Sequence, residues 1–372
     1  MKRKVVSFVM AAVMAAALAG CGSSNGAGSQ ETQPQQGGQT LAQTQEQANA
    51  PEETQQAQTG DGAVYKVGIV QYVDDASLNQ IEKAIEAELT AKGQELGVTF
   101  DFANYTHNGQ ADSSVLNQIA TDLVADGVDV IIPIATPAAM IMQNAAEDSQ
   151  IPVVFSAVSD PEGAGLVASN DAPGANITGT SDAIDTEAIF GLIMAANPDT
   201  KKVGLLYDKS QAGSIQSIAD AKAYCDANGI TYVEKTGTTS AEVQAAADAL
   251  VAEQVDAVFT PQDNTIMTAE LAIFEKFIDA KIPHYTGADS FALNGAFCGF
   301  GVNYENLGTV TADMAVDVLV NGADTSTMAV KTLSDGIITI NTETAEAIGI
   351  DYSVLEGMGS ELIEIVTAQE FE

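Results

Sequence analysis

Short apolar runs alternate with stretches of helical periodicity from residue 65 onward. The first β-rich run is Tyr65–Gln71, and the segment after it spaces apolar residues from Leu78 to Leu89 along one helix face. The further predicted strands are Val98–Tyr105, Val128–Ile134, Pro152–Phe155, Val203–Tyr207, Thr231–Glu234, Ala257–Thr260 and Pro283–Thr286. Nearly continuous apolar strands that alternate with helices predict a parallel sheet covered by helices on both faces.

The alternation stops once, near residues 176–182, and then starts again. This restart predicts an α/β protein made of two doubly wound units. One further helix follows Tyr304 and places Leu307, Val310 and Met314 on one face. It comes too late in the chain to belong plainly to either unit, and a return to the first unit is one option.

The first twenty residues form a predicted signal peptide. Lys2, Arg3 and Lys4 precede an apolar run over residues 5–19, which is shorter than the ~20 residues that span a bilayer as a helix. The run ends in Leu18-Ala19-Gly20-Cys21, which resembles the bacterial lipobox, whose cysteine is acylated before the signal is removed. Residues 1–20 are therefore expected to be a lipoprotein signal peptide, and Cys21 is expected to anchor the protein on the extracytoplasmic face of the membrane.

Residues 21–62 are predicted to be a disordered tether. The stretch is rich in Gln, Gly, Thr, Ser, Glu, Ala and Pro, and Leu41 is the only large apolar residue between positions 22 and 60. Such a composition buries too little surface to offset the entropy of the chain. About forty flexible residues reach roughly 35 Å, which holds a folded body clear of the membrane but near its surface. A prion-like polar tract is the competing interpretation.

The charge of the chain excludes two classes of partner. Acidic residues outnumber basic ones by 51 to 14, for a formal charge of −37. Nucleic acids and anionic lipid headgroups are bound by clustered Lys and Arg, so neither is an expected partner, and the lipid anchor is the only expected membrane contact. The cysteines form no CxxC motif, so neither a metal nor another cofactor is expected, and Cys225 and Cys298 are predicted to be small buried apolar residues.

A ligand site is predicted beyond the carboxyl ends of the strands, where open α/β sheets bind their ligands. The segments that follow the predicted strands are rich in Asp, Ser, Thr, Asn and Tyr. The residues predicted to bind the ligand are Gln71, Tyr72, Asp75, Thr136, Ser156, Asp160, Asp182, Asp263, Asn264 and Asp289. Taken singly, most such side chains are typical of helix caps. Their occurrence at the same end of both sheets favours a shared site.

The chemistry of these segments favours an amino acid over a sugar. Pro137 suits the first position of a helix, and Thr136 is predicted to cap it. The two alanines that follow leave their amides unobstructed at the positive end of the helix, where a carboxylate binds. The carboxylates that could meet an ammonium group are Asp75, Asp263 and Asp289. Tyr72 could stack on a flat side chain.

From about residue 64 to residue 321, the chain resembles the substrate-binding lipoproteins of ABC transporters of the tryptophan/tyrosine-binding (TrpX-like) type. The matching segments are Val67–Gln71, Ile134–Ala139, Pro152–Pro161, Gly163–Val167, Asn176–Gly179, Thr260–Thr265 and Tyr304–Gly308. The resemblance implies a two-lobed periplasmic-binding-protein fold of type I with three hinge crossovers. It implies that lobe 1 comprises residues 63–180 and 303–324, and that lobe 2 comprises residues 181–302 and 325–372.

The resemblance also implies a function without catalysis. Such a protein captures a small solute, here an aromatic or other amino acid, by closing its lobes, and it delivers the solute to an ABC permease and its ATPase. A monomer is expected for a tethered carrier. The sequence departs from the family where a His-Pro-Ala-Leu-Asp stretch usually follows the first strand, since residues 75–79 are Asp-Ala-Ser-Leu-Asn here. This change alters the chemistry beside the expected pocket.

Other functions remain open on the sequence alone. The solute could be a sugar or a nucleoside, and the partner could be a sensory receptor instead of a permease. An enzyme is disfavoured, because the chain has no GxGxxG after the first strand and no GxxxxGK[ST], GxSxG or HExxH motif. Neither His107 nor His284 has a catalytic setting in the sequence, and both are expected to be solvated or capping residues.

Overall fold

The structure is a computed structural model, and it describes residues 62–368. The predicted signal peptide 1–20, the predicted lipidation site Cys21 and the predicted tether up to residue 61 lie outside the described residues. Within residues 62–368, no helix combines the length and the apolar character needed to cross a membrane.

Lobe 1 is built on a sheet of seven parallel strands. These strands are β1 (Val64–Gln71), β2 (Thr99–Asp101), β3 (Thr106–Asn108), β4 (Val130–Ile134), β5 (Val153–Phe155), β6 (Ile177–Ser181) and β12 (Lys331–Thr332). Their order is β12-β6-β5-β4-β1-β2, and β3 also pairs with β1. The helices of the lobe are α1 (Ala76–Leu96), α2 (Ser113–Asp126), α3 (Thr136–Ala146) and α10 (Tyr304–Asn321).

The two faces of this sheet bury different helices. Side chains of a strand alternate between faces, so Ile69 packs in one core with Ile81 of α1 and Leu307 of α10, whereas Val70 packs in another with Leu116 of α2. The prediction of a parallel sheet with helices on both faces is therefore confirmed.

The helix that follows residue 303 returns to lobe 1, as the resemblance implied. Helix α10 lies along α1, and the approach is close at Gly308. A Cβ atom at Gly308 would lie 2.5 Å from the carbonyl oxygen of Ile81 and 2.8 Å from the Cβ of Ala84. A larger residue at position 308 would force the two helices apart.

Lobe 2 is built on a second sheet, with the strand order β14-β13-β11-β10-β9-β7-β8. Its strands are β7 (Lys202–Tyr207), β8 (Thr231–Thr236), β9 (Ala257–Thr260), β10 (His284–Thr286), β11 (Cys298–Gly301), β13 (Ile337–Asn341) and β14 (Glu361–Ile365). Its α-helices are α4 (Thr186–Ala196), α5 (Ala212–Asn228), α6 (Ser240–Ala252), α7 (Asn264–Ala269), α8 (Phe274–Ala280), α9 (Asp289–Leu293) and α11 (Thr342–Ile348), with 3-10 turns at Glu270–Ala272 and Tyr352–Leu355. Strand β13 runs antiparallel to β11, and the other pairs are parallel.

The chain passes between the lobes three times, after β6, after β11 and after β12. The last crossing comes later than the predicted boundary between residues 324 and 325. Strand β12 pairs with β6 of lobe 1, and Thr178 Oγ1 donates to the carbonyl of Met328 at 2.7 Å. Residues 325–332 therefore belong to lobe 1. The segment joins the sheet through main-chain pairing. Its sequence is mostly polar and has no hydrophobic periodicity, so its place in the lobe 1 sheet could not be predicted from the sequence.

Two further predictions differ from the structure. Residues 98–105, predicted as one strand, form β2 and part of a loop before β3. His284 is not solvated: it is 2% exposed, with Nδ1 3.0 Å from Glu270 Oε1 and Nε2 2.8 Å from Thr260 Oγ1. Cys225 and Cys298 are free and buried, as predicted.

Candidate ligand-binding cleft

A cavity lies between the lobes, beyond the carboxyl ends of β4, β5, β7, β9 and β10. Lobe 1 and α10 line it with Ser77, Leu78, Ala135, Thr136, Ala157, Ser159 and Tyr304. The first crossover and lobe 2 line it with Asp182, Gln211, Gly213, Gln262, Asn264, Met267 and Ala288. The position agrees with the site predicted from the strand ends.

Two long helices, one from each lobe, begin at the cavity without a side-chain cap. Ala135 precedes α3 and Gln211 precedes α5, and neither side chain accepts a hydrogen bond from the first turn of its helix. In the part of the chain that the structure describes, every other helix of ten or more residues has such a cap. The first N–H groups of α3 and α5 are thus left for another acceptor.

These two helix ends lie close to each other. A Cβ atom on Gly213, in the first turn of α5, would lie 3.4 Å from both Thr136 Oγ1 and Ser159 Oγ. Two hydroxyl groups from lobe 1 therefore face the first turn of the lobe 2 helix across a narrow space. Hydroxyl donors beside two positive helix ends make this the part of the cleft best suited to a carboxylate.

A carboxylate of the protein itself lies next to this position. Asp182, in the first crossover, is 4% exposed, and its Oδ1 accepts a hydrogen bond from Ser159 Oγ at 3.2 Å. Burial raises the pKa of Asp182 to about 6, and the Ser159 hydroxyl partly offsets that rise. Gln262 Nε2 donates to the carbonyl of Asp182 at 2.5 Å, which leaves Gln262 Oε1 buried without a partner. Two acceptors are thus available for a ligand cation.

Arginine plays no part in this site. Arg3 is the only arginine of the chain, and among the described residues that line the cavity there is neither Lys nor Arg. Arginine is the side chain that binds carboxylates in bidentate fashion. The donors that this part of the cavity offers to a carboxylate are main-chain N–H groups and the hydroxyls of Thr136 and Ser159.

The backbone is strained at two alanines of the cavity wall. Ala135 has φ 80° and ψ 151°, and Ala157 has φ 53°. Non-glycine residues rarely adopt positive φ, and the conformation of Ala135 belongs to glycine almost exclusively. Strain of this kind persists where the surrounding fold imposes it, and it clusters at binding sites.

The lobes also touch directly beside the cavity. Ser77 Oγ of α1 donates to Asp289 Oδ1 of lobe 2 at 2.5 Å, and Gln80 Nε2 donates to Asp289 Oδ2 at 3.2 Å. Tyr72, at the end of β1, is hydrogen-bonded to Gln211 of lobe 2. Burial raises the pKa of Tyr72, and the Gln211 contact opposes that rise. These contacts hold the cleft closed.

Six of the ten residues predicted to bind a ligand lie in the cleft. Thr136, Asp182 and Asn264 line the cavity. Tyr72, Asp75 and Asp289 lie at the contact between the lobes, where Asp75 caps α1 by accepting from Ser77 N at 2.9 Å. The predicted role of Thr136 as a cap is corrected, because Thr136 is the first residue of α3.

The other four predicted residues are engaged within one lobe and do not line the cavity. Gln71 Nε2 donates to Val73 O and Asn79 Oδ1, and Asp160 Oδ1 accepts from Gly163 N. Ser156 is fully buried in a triangle of hydroxyl groups with Thr180 and Thr311, at 2.7 to 3.3 Å.

Asp263 is the fourth of these residues, and it is a structural hub of lobe 2. Its Oδ1 caps α7, accepting from the amides of Thr265 and Ile266 at 3.1 and 3.0 Å. Its Oδ2 accepts from Asp208 N and Ser214 Oγ at 2.7 Å each. Asp263 is fully buried, and that burial raises its pKa to about 6.

Sequence reasoning left several lining residues out. Ser159 and Gln262 do lie in the polar segments after predicted strands, and Gly213 follows β7 in a run of small residues that opens a helix. Ala135, Ala157 and Met267 carry no polar signal, because an alanine in a sequence gives no sign of a positive φ. Their place in the wall is set by tertiary structure.

The comparisons with known proteins agree with this geometry. Residues 66–356 match the family model of the ABC transporter substrate-binding proteins. The chain is 30% identical over 284 residues to a tyrosine-binding protein of Clostridioides difficile (strain R20291), a match that covers 76% of this chain and 80% of that protein.

Two solved structures bear on the conformation. A Streptococcus pneumoniae ABC domain in complex with L-Trp is 32% identical, with a TM-score of 0.74, and the match covers 81% of this chain and 100% of the other. The ligand-free, open structure of a substrate-binding protein with adhesive properties from Clostridium difficile is 31% identical, with a TM-score of 0.63 and coverage of 82% and 100%.

At nearly equal identity, the structure is more similar to the L-Trp complex than to the open form. The hydrogen bond between Ser77 and Asp289 across the cleft agrees with a closed arrangement. The family is one of binding proteins, and the structural neighbours are binding proteins and not enzymes. From its two-lobed fold, its interlobe cavity and the family match over residues 66–356, the chain belongs to the ABC transporter substrate-binding proteins.

Proposed function

We propose that this protein captures an aromatic L-amino acid, tryptophan or tyrosine, outside the cytoplasm and delivers it to an ABC permease with its ATPase. The observation that carries the proposal is the pair of neighbouring subsites in the cleft. The hydroxyls of Thr136 and Ser159 and the ends of α3 and α5 suit a carboxylate. Asp182 accepts from Ser159, and the amide of Gln262 donates to the Asp182 carbonyl, so the Asp182 carboxyl and Gln262 Oε1 suit an ammonium group.

The spacing of these subsites supports an α-amino acid. In such a ligand the carboxylate and the ammonium group share one carbon atom, so their binding sites must be adjacent. Ser159 links them here, since its hydroxyl faces the first turn of α5 and also donates to Asp182. A sugar or a nucleoside carries no such pair of opposite charges.

The remaining wall supports an apolar side chain. Leu78, Met267, Ala157 and Ala288 line the cavity, and the flexible thioether of methionine adapts to irregular shapes. The ligands of the relatives support an aromatic side chain, because one is named for tyrosine and another is in complex with L-Trp.

Calorimetry with whole and truncated ligands tests the amino-acid proposal. L-Tryptophan and L-tyrosine are titrated beside tryptamine, which lacks the carboxylate, and indole-3-propionate, which lacks the ammonium group. At least one amino acid is expected to bind, and both truncated compounds are expected to bind about 100-fold more weakly, because each leaves charged or buried partners unmatched. Equal affinity for tryptamine, or binding of myo-inositol or adenosine in place of the amino acids, would contradict the proposal.

The anchoring part of the proposal rests on the sequence of residues 1–21. A lipid on Cys21 would tether the binding body to the extracytoplasmic face of the membrane, near its permease. Detergent phase partition of the protein expressed in a bacterial host tests this. The unmodified protein is expected in the detergent phase and Cys21→Ala in the aqueous phase, and partition that does not depend on Cys21 would contradict lipidation.

A further inference from the structure

The contact between the lobes places a carboxyl group from each lobe beside one serine. Ser77 Oγ of α1 donates to Asp289 Oδ1, accepts from Ser290 N at 3.2 Å, and lies two residues from Asp75. Asp75 Oδ1 accepts from the amides of Ser77 and Leu78, so this carboxyl faces the same small space from the lobe 1 side. The contact thus brings two carboxyl groups, one from each lobe, to a single serine.

This space is closed to solvent. Asp75 is 8% exposed, Ser77 is 1% exposed and Ser290 is fully buried. Each carboxyl has donors within its own surroundings, but two ionised carboxylates in such a space still repel each other. A proton on one of them would remove the repulsion.

The other titratable groups that face the pair do not neutralise it. Tyr304 of α10 interacts with Asp75, Asp289 and Asp182, and burial raises its pKa well above the usual value, so it stays neutral. Asp182 of the first crossover adds a further negative charge when it is ionised. Besides burial, the charge of Asp289 raises the pKa of Asp75, and hydrogen bonds from Ser77, Leu78 and Ser290 lower it. Hydrogen bonds from Ser77, Gln80 and Ser290 lower the pKa of Asp289.

We propose that closure of the lobes is coupled to the uptake of a proton by the pair of Asp75 and Asp289, so that a more acidic medium favours the closed, ligand-holding state. The inference rests on the proposed function for its ligand. It adds that the affinity of the protein responds to the pH outside the cell.

The direction of the effect follows from the pKa values. Burial and the charge of Asp289 raise the pKa of Asp75 to about 7 in the closed structure, and burial raises that of Asp289 to about 6. Opening separates the carboxyls and returns them toward the ordinary value of 3.8. Between about pH 4 and 7, the closed state therefore holds a proton that the open state lacks. Closure is favoured as the pH falls through this range and is least favoured above it.

The first test is the pH dependence of L-tryptophan binding to the full chain. The dissociation constant is expected to rise about tenfold from pH 5.5 to pH 7.5, since one pKa unit of coupling corresponds to a factor of ten. Titration at pH 6.5 in buffers of different ionisation enthalpy is expected to show uptake of about 0.5 to 1 proton per ligand bound. Binding without proton uptake overturns this inference and leaves the proposed function intact.

The second test uses variants to show whether the proton is taken up by Asp75 and Asp289. Asp75→Asn retains the helix cap, because Asn caps as well as Asp, and Asp289→Asn retains an acceptor for Ser77. Each is expected to tighten binding at pH 7.5 and to flatten the pH profile. The matched control is Asp112→Asn, since Asp112 caps α2 in the same way at an exposed position. A control that flattens the profile, or pair variants that leave it unchanged, overturns the assignment.

A measurement without ligand keeps the inference testable if neither tryptophan nor tyrosine binds, the result that would contradict the proposed function. Met140 and Ile215 are exposed residues near the starts of α3 and α5, in opposite lobes. Spin labels on Met140→Cys and Ile215→Cys, with Cys21→Ser, report the width of the cleft. The mean distance between the labels is expected to shorten as the pH falls from 8 to 5.5, and a distance independent of pH overturns the coupling.

Discussion

Four of the helices that begin at the cleft form two pairs, and the pairs begin in two different ways. Helices α1 and α7 are capped by the buried carboxyls of Asp75 and Asp263, each of which accepts two hydrogen bonds from the main chain of its helix. Helices α3 and α5 follow Ala135 and Gln211, which cap nothing. All four helices start after a parallel strand. In one pair, a side chain accepts hydrogen bonds from the first N–H groups of the helix, and in the other pair no side chain does.

This difference determines which helix N-termini keep a partial positive charge at the cleft. A carboxyl cap satisfies the first N–H groups and cancels the partial positive charge of the helix end. An uncapped end keeps both its donors and its charge. Because the uncapped ends keep positive charge and Asp182 in the cavity wall adds a carboxyl group beside them, the cleft is complementary to a ligand that carries both signs, as an amino acid does.

The largest effect is expected at a capped end. Asp263→Ala removes the acceptor of four hydrogen bonds in a fully buried position and leaves their donors without partners. We expect a loss of about 3 kcal/mol in the free energy of unfolding, measured by urea denaturation. Asn264→Ala, one residue along and in the cavity wall, is the matched control and is expected to change binding more than stability. Unchanged stability with lost binding in Asp263→Ala would make this residue a ligand contact instead.

The next effect is expected at an uncapped end. Gly213→Ala places a methyl group 3.4 Å from Thr136 Oγ1 and Ser159 Oγ, in the space assigned to the ligand carboxylate. Affinity for L-tryptophan is expected to fall roughly 30-fold, the cost of losing one or two charge-assisted hydrogen bonds, and calorimetry measures it.

Gly191→Ala is the control for this change. Gly191 also lies in a helix, but its Cβ would meet nothing closer than Met358 Cε at 3.9 Å. Both variants are expected to fold, because alanine favours helices more than glycine does. Equal affinity in Gly213→Ala and Gly191→Ala would remove the carboxylate from the end of α5.

A smaller effect is expected at the neighbouring subsite. Asp182→Asn keeps the size of the side chain and removes its charge, so the affinity for L-tryptophan at pH 7.5 is expected to fall about tenfold. Indole-3-propionate, which has no ammonium group, is not expected to lose affinity. If both ligands weaken equally, Asp182 supports the closed structure without binding the ammonium group.

The sequence predicted the layers of the fold and the end of the sheets that carries the site. Strands such as Val203–Tyr207 are apolar throughout, and such a run predicts a buried strand without knowledge of the segments that pack against it. Strand β6 was missed because Ile177 is its only large apolar residue. Its hydroxyl-bearing residues are buried through contacts with other segments, such as Thr180 with Thr311. No local pattern records such partners.

Within the site, the residue types could be predicted from the sequence, but the directions of their side chains could not. Asp263 and Asp182 have the same side chain, and each is close to the end of a strand. One turns into lobe 2 to hold four donors, while the other faces the cavity. The three-dimensional position of Ser214 and Asp208 decides the first case, and that of Ser159 decides the second.

The smallest effect concerns the reason why α3 has no cap. Residues that cap helices in this chain have negative φ, such as −148° at Asp75 and −115° at Asp112, whereas Ala135 has φ 80°. A capping side chain needs the extended conformation, so the strained backbone at Ala135 excludes a cap and leaves the first N–H groups of α3 free.

Ala135→Gly relieves strain of about 1 to 3 kcal/mol, and the greater entropy of the unfolded glycine chain offsets less than about 1 kcal/mol of that gain. We therefore expect a gain of about 1 kcal/mol in the free energy of unfolding, whereas Ala138→Gly, inside the same helix, is expected to lose about that much. Thermal denaturation of the two variants measures the contrast, and destabilisation by both would mean that the backbone at Ala135 is not strained and that another cause keeps α3 uncapped.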